Sequence, residues 1–191
     1  MTVYFTSDLH FAHPKLADLR GFASVADHDA AVLDALAALD PDRDVLWVLG
    51  DICTGGTASM HTALAHLSTL SVPMHLVTGN HDPVHPMYRN AQRHFADYTA
   101  VFASVQPFAR TKVGERGVLL SHFPYADSPD RFTTRDFSQY QLPNMGMWLI
   151  HGHTHDTERR SGKRSINVSP EAWDLRPAAA EEIAAIIGGD D

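Results

Sequence analysis

Residues 151–156 read HGHTHD, three histidines in strict alternation directly after the apolar run MWLI. In an extended chain positions i, i+2 and i+4 share one face, so His151, His153 and His155 could converge on a single point. Neutral imidazole is the commonest protein metal ligand, while a polar cluster on a solvated strand edge is the bland alternative. The hexapeptide alone does not choose between them. Other short polar stretches close apolar runs in the same way: TSDLH with Asp8 and His10, LGD with Asp51, TGNHD with Asn80, His81 and Asp82, and LLSH with His122.

Each stretch by itself has an ordinary explanation. An Asp at a strand end is most often a turn or cap residue, and a lone His122 reads as a satisfied core histidine. All of those explanations would have to hold together, in order, at five strand ends of one short chain, and we reject that conjunction. Carboxylate, amide carbonyl and imidazole form a hard and borderline donor set without thiolate. It suits Mn, Fe, Zn, Ni or Co better than Ca or a zinc finger. Seven donors are too many for one tetrahedral ion but suit two adjacent divalent transition-metal ions sharing a carboxylate, a centre that clamps phosphoryl groups when the ions lie about 3.5 to 4 Å apart.

Alternating strand-like and helix-like segments must position these residues. Strands are expected at 3–8, 45–51, 74–82, 101–110, 117–123, 147–153 and 164–170. Helices are expected at 24–41, capped by Ser24 and stopped by Pro41, around Met60, Leu64 and Leu67, at 85–98 with Tyr88, Ala91, Phe95 and Tyr98 inward, and at 178–187. Residues 123–146 form a long irregular connection of the kind that often contacts substrate. The reading is one α/β domain over residues 1–191 with the polar residues gathered at the carboxyl edge of the strands, where open α/β sheets bind ligands.

The chain has 191 residues, 15 Lys plus Arg, 23 Asp plus Glu and 13 His, for a net charge of -8 with histidine neutral. Such an acidic surface argues against stable duplex nucleic-acid binding, which needs basic charge. If phosphate is handled here, metal ions must supply the local positive charge. The longest apolar runs fall far short of the ~20 residues that cross a bilayer, so no membrane association is expected. The N-terminus MTVYFTSD lacks a basic signal region and Cys53 is the single cysteine; a cytoplasmic location is the expectation.

In order, D-x-H at Asp8 to His10, G-D at Gly50 and Asp51, G-N-H-D at Gly79 to Asp82, His122 alone, and G-H-x-H at Gly152 to His155 resemble the calcineurin-like metallophosphoesterases. SDLHFAHPKL and RSINVSPEAWDLRP look like a small bacterial and phage-type subgroup, with likeness running almost end to end. The resemblance implies a four-layer αββα sandwich of two mixed β-sheets flanked by helices. It also implies one metal on Asp8, His10, Asp51 and His155 and a second on Asp51, Asn80, His122 and His153, with manganese the first choice. His81 would approach the phosphate and protonate the leaving oxygen, oriented by Asp82, while a metal-bridging hydroxide attacks. His151 falls outside the motif, and its replacement should cost less metal than that of His153 or His155.

Departures narrow the reading. Gly50-Asp51 is followed by Ile52-Cys53-Thr54 where the Ser/Thr phosphatase and dinucleotide tetraphosphatase branches carry G-D-x-x-D-R-G, which disfavours those branches. Asn167 stands where the subgroup suggests Asp. His13, Tyr125, Arg131 and Arg135, with Tyr140, are candidate substrate contacts. A metallo-β-lactamase-like site would need H-x-H-x-D-H early in the chain, and a non-catalytic scaffold of this fold would not need His81. The expected activity is a phosphodiesterase on small phosphodiesters, nucleotides including 2′,3′- or 3′,5′-cyclic forms among them. A phosphomonoesterase or nuclease on the same centre is the alternative. A small phosphate ester or nucleotide is the expected partner, and the sequence does not fix the oligomeric state.

Overall fold

The computed structural model describes residues 1–128 and 137–189. Two mixed sheets carry the polar edge. The first is built from β1 (Thr2–Thr6), β2 (Asp44–Val48), β3 (Met74–Val77), β4 (Ser104–Gln106) and β9 (Ala178–Ala179), in the order β4-β3-β2-β1-β9. The second runs β5-β6-β7-β8 from β5 (Phe108–Val113), β6 (Arg116–Ser121), β7 (Trp148–His151) and β8 (Ser165–Asn167). β1 to β4 are mutually parallel, β6 to β8 likewise, and β9 and β5 are the antiparallel edges.

Helices flank these sheets: α1 (Pro14–Leu19), α2 (Val25–Ala37), α3 (Thr57–Leu67), α4 (Phe95–Thr99) and α5 (Ala180–Gly188). Ser24 caps α2, its hydroxyl accepting the Asp27 N–H. Val32 and Leu36 of α2 and Met60, Ala63, Leu64 and Leu67 of α3 pack on Leu46, Val48, Met74 and Leu76, covering one face of the first sheet. The opposite face, with Phe5, Leu49 and Val77, meets Val118, Leu120, Trp148, Ile150 and Ile166 of the second sheet, and Ile183 and Ile187 of α5 join them. These are the two mixed sheets with flanking helices that the sequence implies.

Parallel strands place their carboxyl ends together. β1, β2, β3, β6 and β7 end just before the residues that carry chemistry, and strand-like pairing continues past β1 and β2, with the Asp8 N–H donating to the Gly50 carbonyl and the His10 N–H to the Asp51 carbonyl. The strands are shorter than the apolar runs suggest because the polar residues turn away. Asp8, His10, Asp51, His153 and His155 all have φ between 47° and 72°. Non-glycine residues rarely occupy that left-handed region, and those that do concentrate at functional sites.

Two expected elements differ. Residues 85–98 are not one helix: three-residue turns precede a short 3-10 segment at Ala91–Arg93 and then α4. Pro83 and Pro86 lack the N–H a helix needs, and the Tyr88 hydroxyl donates to the Asn80 carbonyl, so Tyr88 serves the neighbouring loop. Tyr88 and Phe95 are exposed, whereas Tyr98 is buried. The run 101–110 is split at Pro107 into β4 and β5, which belong to different sheets.

Candidate metal centre

The glycines of the motifs show how closely these turns approach one another. A Cβ on Gly79 would overlap the Asp51 carboxylate and the His122 ring, and one on Gly152 would overlap the Ser7 hydroxyl and the Asp8 carboxylate. Backbone from one strand end therefore packs directly on donor atoms from another.

Two groups of donors result: Asp8, His10 and His155, and Asp51, His122 and His153. Asn80 joins the second, its Oδ1 lying 3.0 Å from His122 Nε2, which is 3.1 Å from His153 Nδ1. Asp51 reaches both groups: its Oδ2 is 3.4 Å from His122 Nε2 and 3.7 Å from His10 Nε2. Asp8 Oδ1 lies 3.8 Å from His10 Nε2 and 3.7 Å from His155 Nε2. All seven residues singled out from the sequence as ligands are thus brought together, all buried except His155, which is partly exposed.

The tautomers are set from outside the cluster. His10 Nδ1 faces the Cys53 carbonyl at 3.1 Å and His122 Nδ1 the Leu49 carbonyl at 2.8 Å. A carbonyl only accepts, so each Nδ1 carries its proton and each Nε2 turns a lone pair inward. Burial lowers both imidazoles. His155 Nδ1 is held at 3.0 Å by the Glu171 carboxylate. The Nε2 lone pairs of His10 and His122 therefore face the oxygens of Asn80, Asp8 and Asp51, and Asp8 Oδ1 is buried without a hydrogen-bond partner. Buried acceptors left so are costly unless a cation satisfies them, and this donor set fits divalent metal ions.

Charge follows the same geometry. Burial would raise Asp8, but His155, His122 and His10 outweigh it and hold its carboxyl well below the usual range. Burial lifts the Asp51 carboxyl to about 6, the nearby His81 opposing and Asp8 reinforcing the rise. For His155 burial pulls downward, yet Asp8 and Glu171 raise the imidazole to about 9.

His81 lies beside this centre, its ring centroid 5.3 Å from that of His10. Its Nδ1 donates to the Thr54 carbonyl at 3.1 Å and its backbone N–H to Asp51 Oδ1 at 2.7 Å. It lines both the cavity of about 870 Å³ over the donors and a second of about 300 Å³ that reaches Arg89 and His94.

Asp82 does not orient His81. Its buried carboxylate accepts the backbone N–H groups of Asp51, Ile52 and Gly79 at 2.9, 3.1 and 2.7 Å, tying the second and third strand ends together. The His81 ring is held instead by the Thr54 carbonyl. Tyr125 is likewise no substrate contact: it is buried, and its hydroxyl donates to the Met147 carbonyl. Tyr140 packs its ring on His85 and Phe123. Arg131 and Arg135 lie outside the described residues. His13 does line the large cavity, while its Nδ1 caps α1 by accepting the Leu16 N–H. His151 stands apart from both donor groups, its ring held by the Gly152 carbonyl and the Ser161 hydroxyl.

The structure adds residues the motifs do not name. Arg20 donates to the Asp8 carbonyl and to Glu171, both at 2.9 Å. The Ser169 hydroxyl donates to Asp8 Oδ2 at 3.3 Å. Asn167 is structural: its amide nitrogen donates to the Asp156 and Glu158 carbonyls, and its amide oxygen accepts from Ser169. β8 runs parallel to β7, so the same strand-end rule, applied to a sixth strand, points to Ser169 and Glu171.

Comparisons with known proteins agree with this geometry. The family model of the calcineurin-like phosphoesterase superfamily domain matches residues 1–187. The Gene 66 protein of Mycobacterium phage D29 is 41% identical over 184 residues, covering 92% of this chain and 91% of the phage protein. That of phage L5 is 39% identical over 184 residues, covering 89% and 86%. A symmetrical bis(5'-nucleosyl)-tetraphosphatase from Edwardsiella ictaluri is 28% identical over 165 residues, 85% of this chain but 48% of that enzyme. Among solved structures, a protein of unknown function from Aquifex aeolicus shares the fold with a TM-score of 0.72, over 97% of this chain and 98% of that one, at 24% identity.

Proposed function

The chain belongs to the calcineurin-like phosphoesterase superfamily, and from that membership we propose that it is a metal-dependent phosphodiesterase acting on small phosphodiesters, nucleotides including cyclic forms among them. One observation carries the reading: nitrogen and oxygen donors from five strand ends converge on both sides of the Asp51 carboxylate. Asp8, His10, Asp51 and His155 would hold one divalent ion, and Asp51, Asn80, His122 and His153 a second, with manganese the ion to try first. When bound, such ions supply positive charge for phosphoryl oxygens and make water acidic enough to attack at neutral pH.

The remaining work falls to the chain. The Thr54 carbonyl holds the proton on His81 Nδ1, so Nε2 is the nitrogen that, in the imidazolium form of the ring, hands its proton to the departing oxygen and leaves His81 neutral. The Asp51 carboxylate holds the His81 backbone, so proton donor and donor cluster keep one relative position. A cavity of about 870 Å³ has room for both ester arms of a diester around this point.

The test compares manganese-loaded protein on bis(4-nitrophenyl) phosphate, 4-nitrophenyl phosphate, 2′,3′- and 3′,5′-cyclic nucleotides and single-stranded DNA. Turnover of the diesters is expected. Hydrolysis of the monoester alone would remove the diesterase claim, and cleavage of DNA alone would make the protein a nuclease.

A further inference from the structure

The large cavity extends beyond the donor cluster. Its other walls are α1 and the turn after β8, which bring Leu16, Leu19, Pro170 and Leu175 to it beside charged side chains of the same two segments. The two walls are tied together by the Arg20–Glu171 ion pair at 2.9 Å. Leu19 is 70% exposed although it faces this space. Leu175 has φ 64° and follows Asp174 at φ 52°, two successive left-handed residues without glycine.

A branched aliphatic residue in that region is strained, and strain persists only where the surroundings impose it. Here they do. Trp173 Nε1 donates to the Asn167 carbonyl at 2.8 Å, the Leu175 N–H donates to the Pro170 carbonyl at 3.0 Å, and the Arg159 guanidinium lies 4.1 Å from the Trp173 ring centroid. The fold thus holds an aliphatic side chain at the cavity wall at a conformational cost. Of the described part of 123–146, Phe137 is the residue that lines this cavity.

We propose that Leu16, Leu19, Pro170 and Leu175 form a subsite for a planar ring system carried on the phosphoester, either a nucleobase or an aryl group. The proposal deepens the phosphoester reading above and rests on it. Apolar walls bury ring faces, and a space of this size accommodates far more than a phosphoryl group.

The test uses ligands that are not hydrolysed. Binding of methylphosphonate, phenylphosphonate and a nucleoside phosphonate to manganese-loaded protein is measured by calorimetry. At least tenfold tighter binding of a ring-bearing ligand than of methylphosphonate is expected, and whichever ring gains more identifies the source. Leu19→Ser and Leu175→Gly should narrow that ratio severalfold, the loss falling on the ring-bearing ligand. Leu175→Gly relieves the left-handed strain, so its unfolding midpoint should not fall, which separates lost binding from lost fold. Equal affinity for methyl and ring-bearing phosphonates would overturn the subsite while leaving the phosphoester reading in place. A ratio retained in both variants would place the ring elsewhere, and no binding of any phosphonate would overturn both.

Discussion

His155 Nδ1 sits 3.0 Å from Glu171 Oε1, the same oxygen that receives Arg20 Nε at 2.9 Å. Arg20 also grips the Asp8 carbonyl, so one guanidinium fixes two residues of the first donor group. A carboxylate behind a ligand histidine fixes its ring and raises its basicity, and removing such a partner costs about 10- to 100-fold in metal affinity. Glu171→Ala should therefore weaken the first cluster by that factor and spare the second, with Glu171→Gln recovering part of the loss. Manganese titration of the three proteins checks this, and equal weakening of both sites in Glu171→Ala would contradict it.

His81 touches the centre without belonging to either donor group. His81→Ala should retain both ions and lose about 10²- to 10⁴-fold in kcat, the range for a positioned proton donor. Metal content and turnover are measured on the same sample. Loss of metal in this variant would make His81 a ligand.

Asp82 offers a structural prediction instead of a catalytic one. Replacing it by alanine strands three buried N–H groups, each costing about 1 to 3 kcal/mol. Asp82→Ala should lower stability by about 3 kcal/mol or more in denaturant unfolding. Unchanged stability with lost turnover would return Asp82 to a chemical role.

These corrections show what the sequence makes legible. Residue type and order single out the seven candidate donors that the structure brings together, because parallel strands within each sheet end at one edge. Strand periodicity also places most of the two sheets. The partners of Asp82 are backbone groups of Asp51, Ile52 and Gly79, and no side-chain motif records them. Tyr125 looks available in an irregular stretch, yet the Met147 carbonyl claims its hydroxyl. Glu171 and Arg20 escape the reading because their significance is mutual: they are 151 positions apart in sequence and meet only when β8 and α1 are in place.

His85 gives a pH dependence from outside the two donor groups. Burial chiefly, with His122 adding, pushes its imidazole down from 6.5 to about 4, and its Nδ1 accepts the Met87 N–H at 3.1 Å. The unfolded chain therefore binds the proton more readily, so stability is full above pH 6.5 and falls as pH drops from 6.5 toward 4. The loss amounts to about 3 kcal/mol at 1.36 kcal/mol per unit. Denaturant unfolding between those pH values should show a shallower slope in His85→Gln than in the parent chain. Identical slopes would exclude His85 as the source.

Asp51 is the carboxylate on which the account turns, since its Oδ2 lies 3.4 Å from His122 Nε2 in one group and 3.7 Å from His10 Nε2 in the other. The direct test is the stoichiometry of manganese binding by calorimetry in the parent chain and in Asp51→Ala. Two ions per chain, with both bound at least tenfold more weakly in the variant, is the predicted result. One ion per chain, or a variant that loses a single site and keeps the other at full affinity, would contradict a shared two-ion centre.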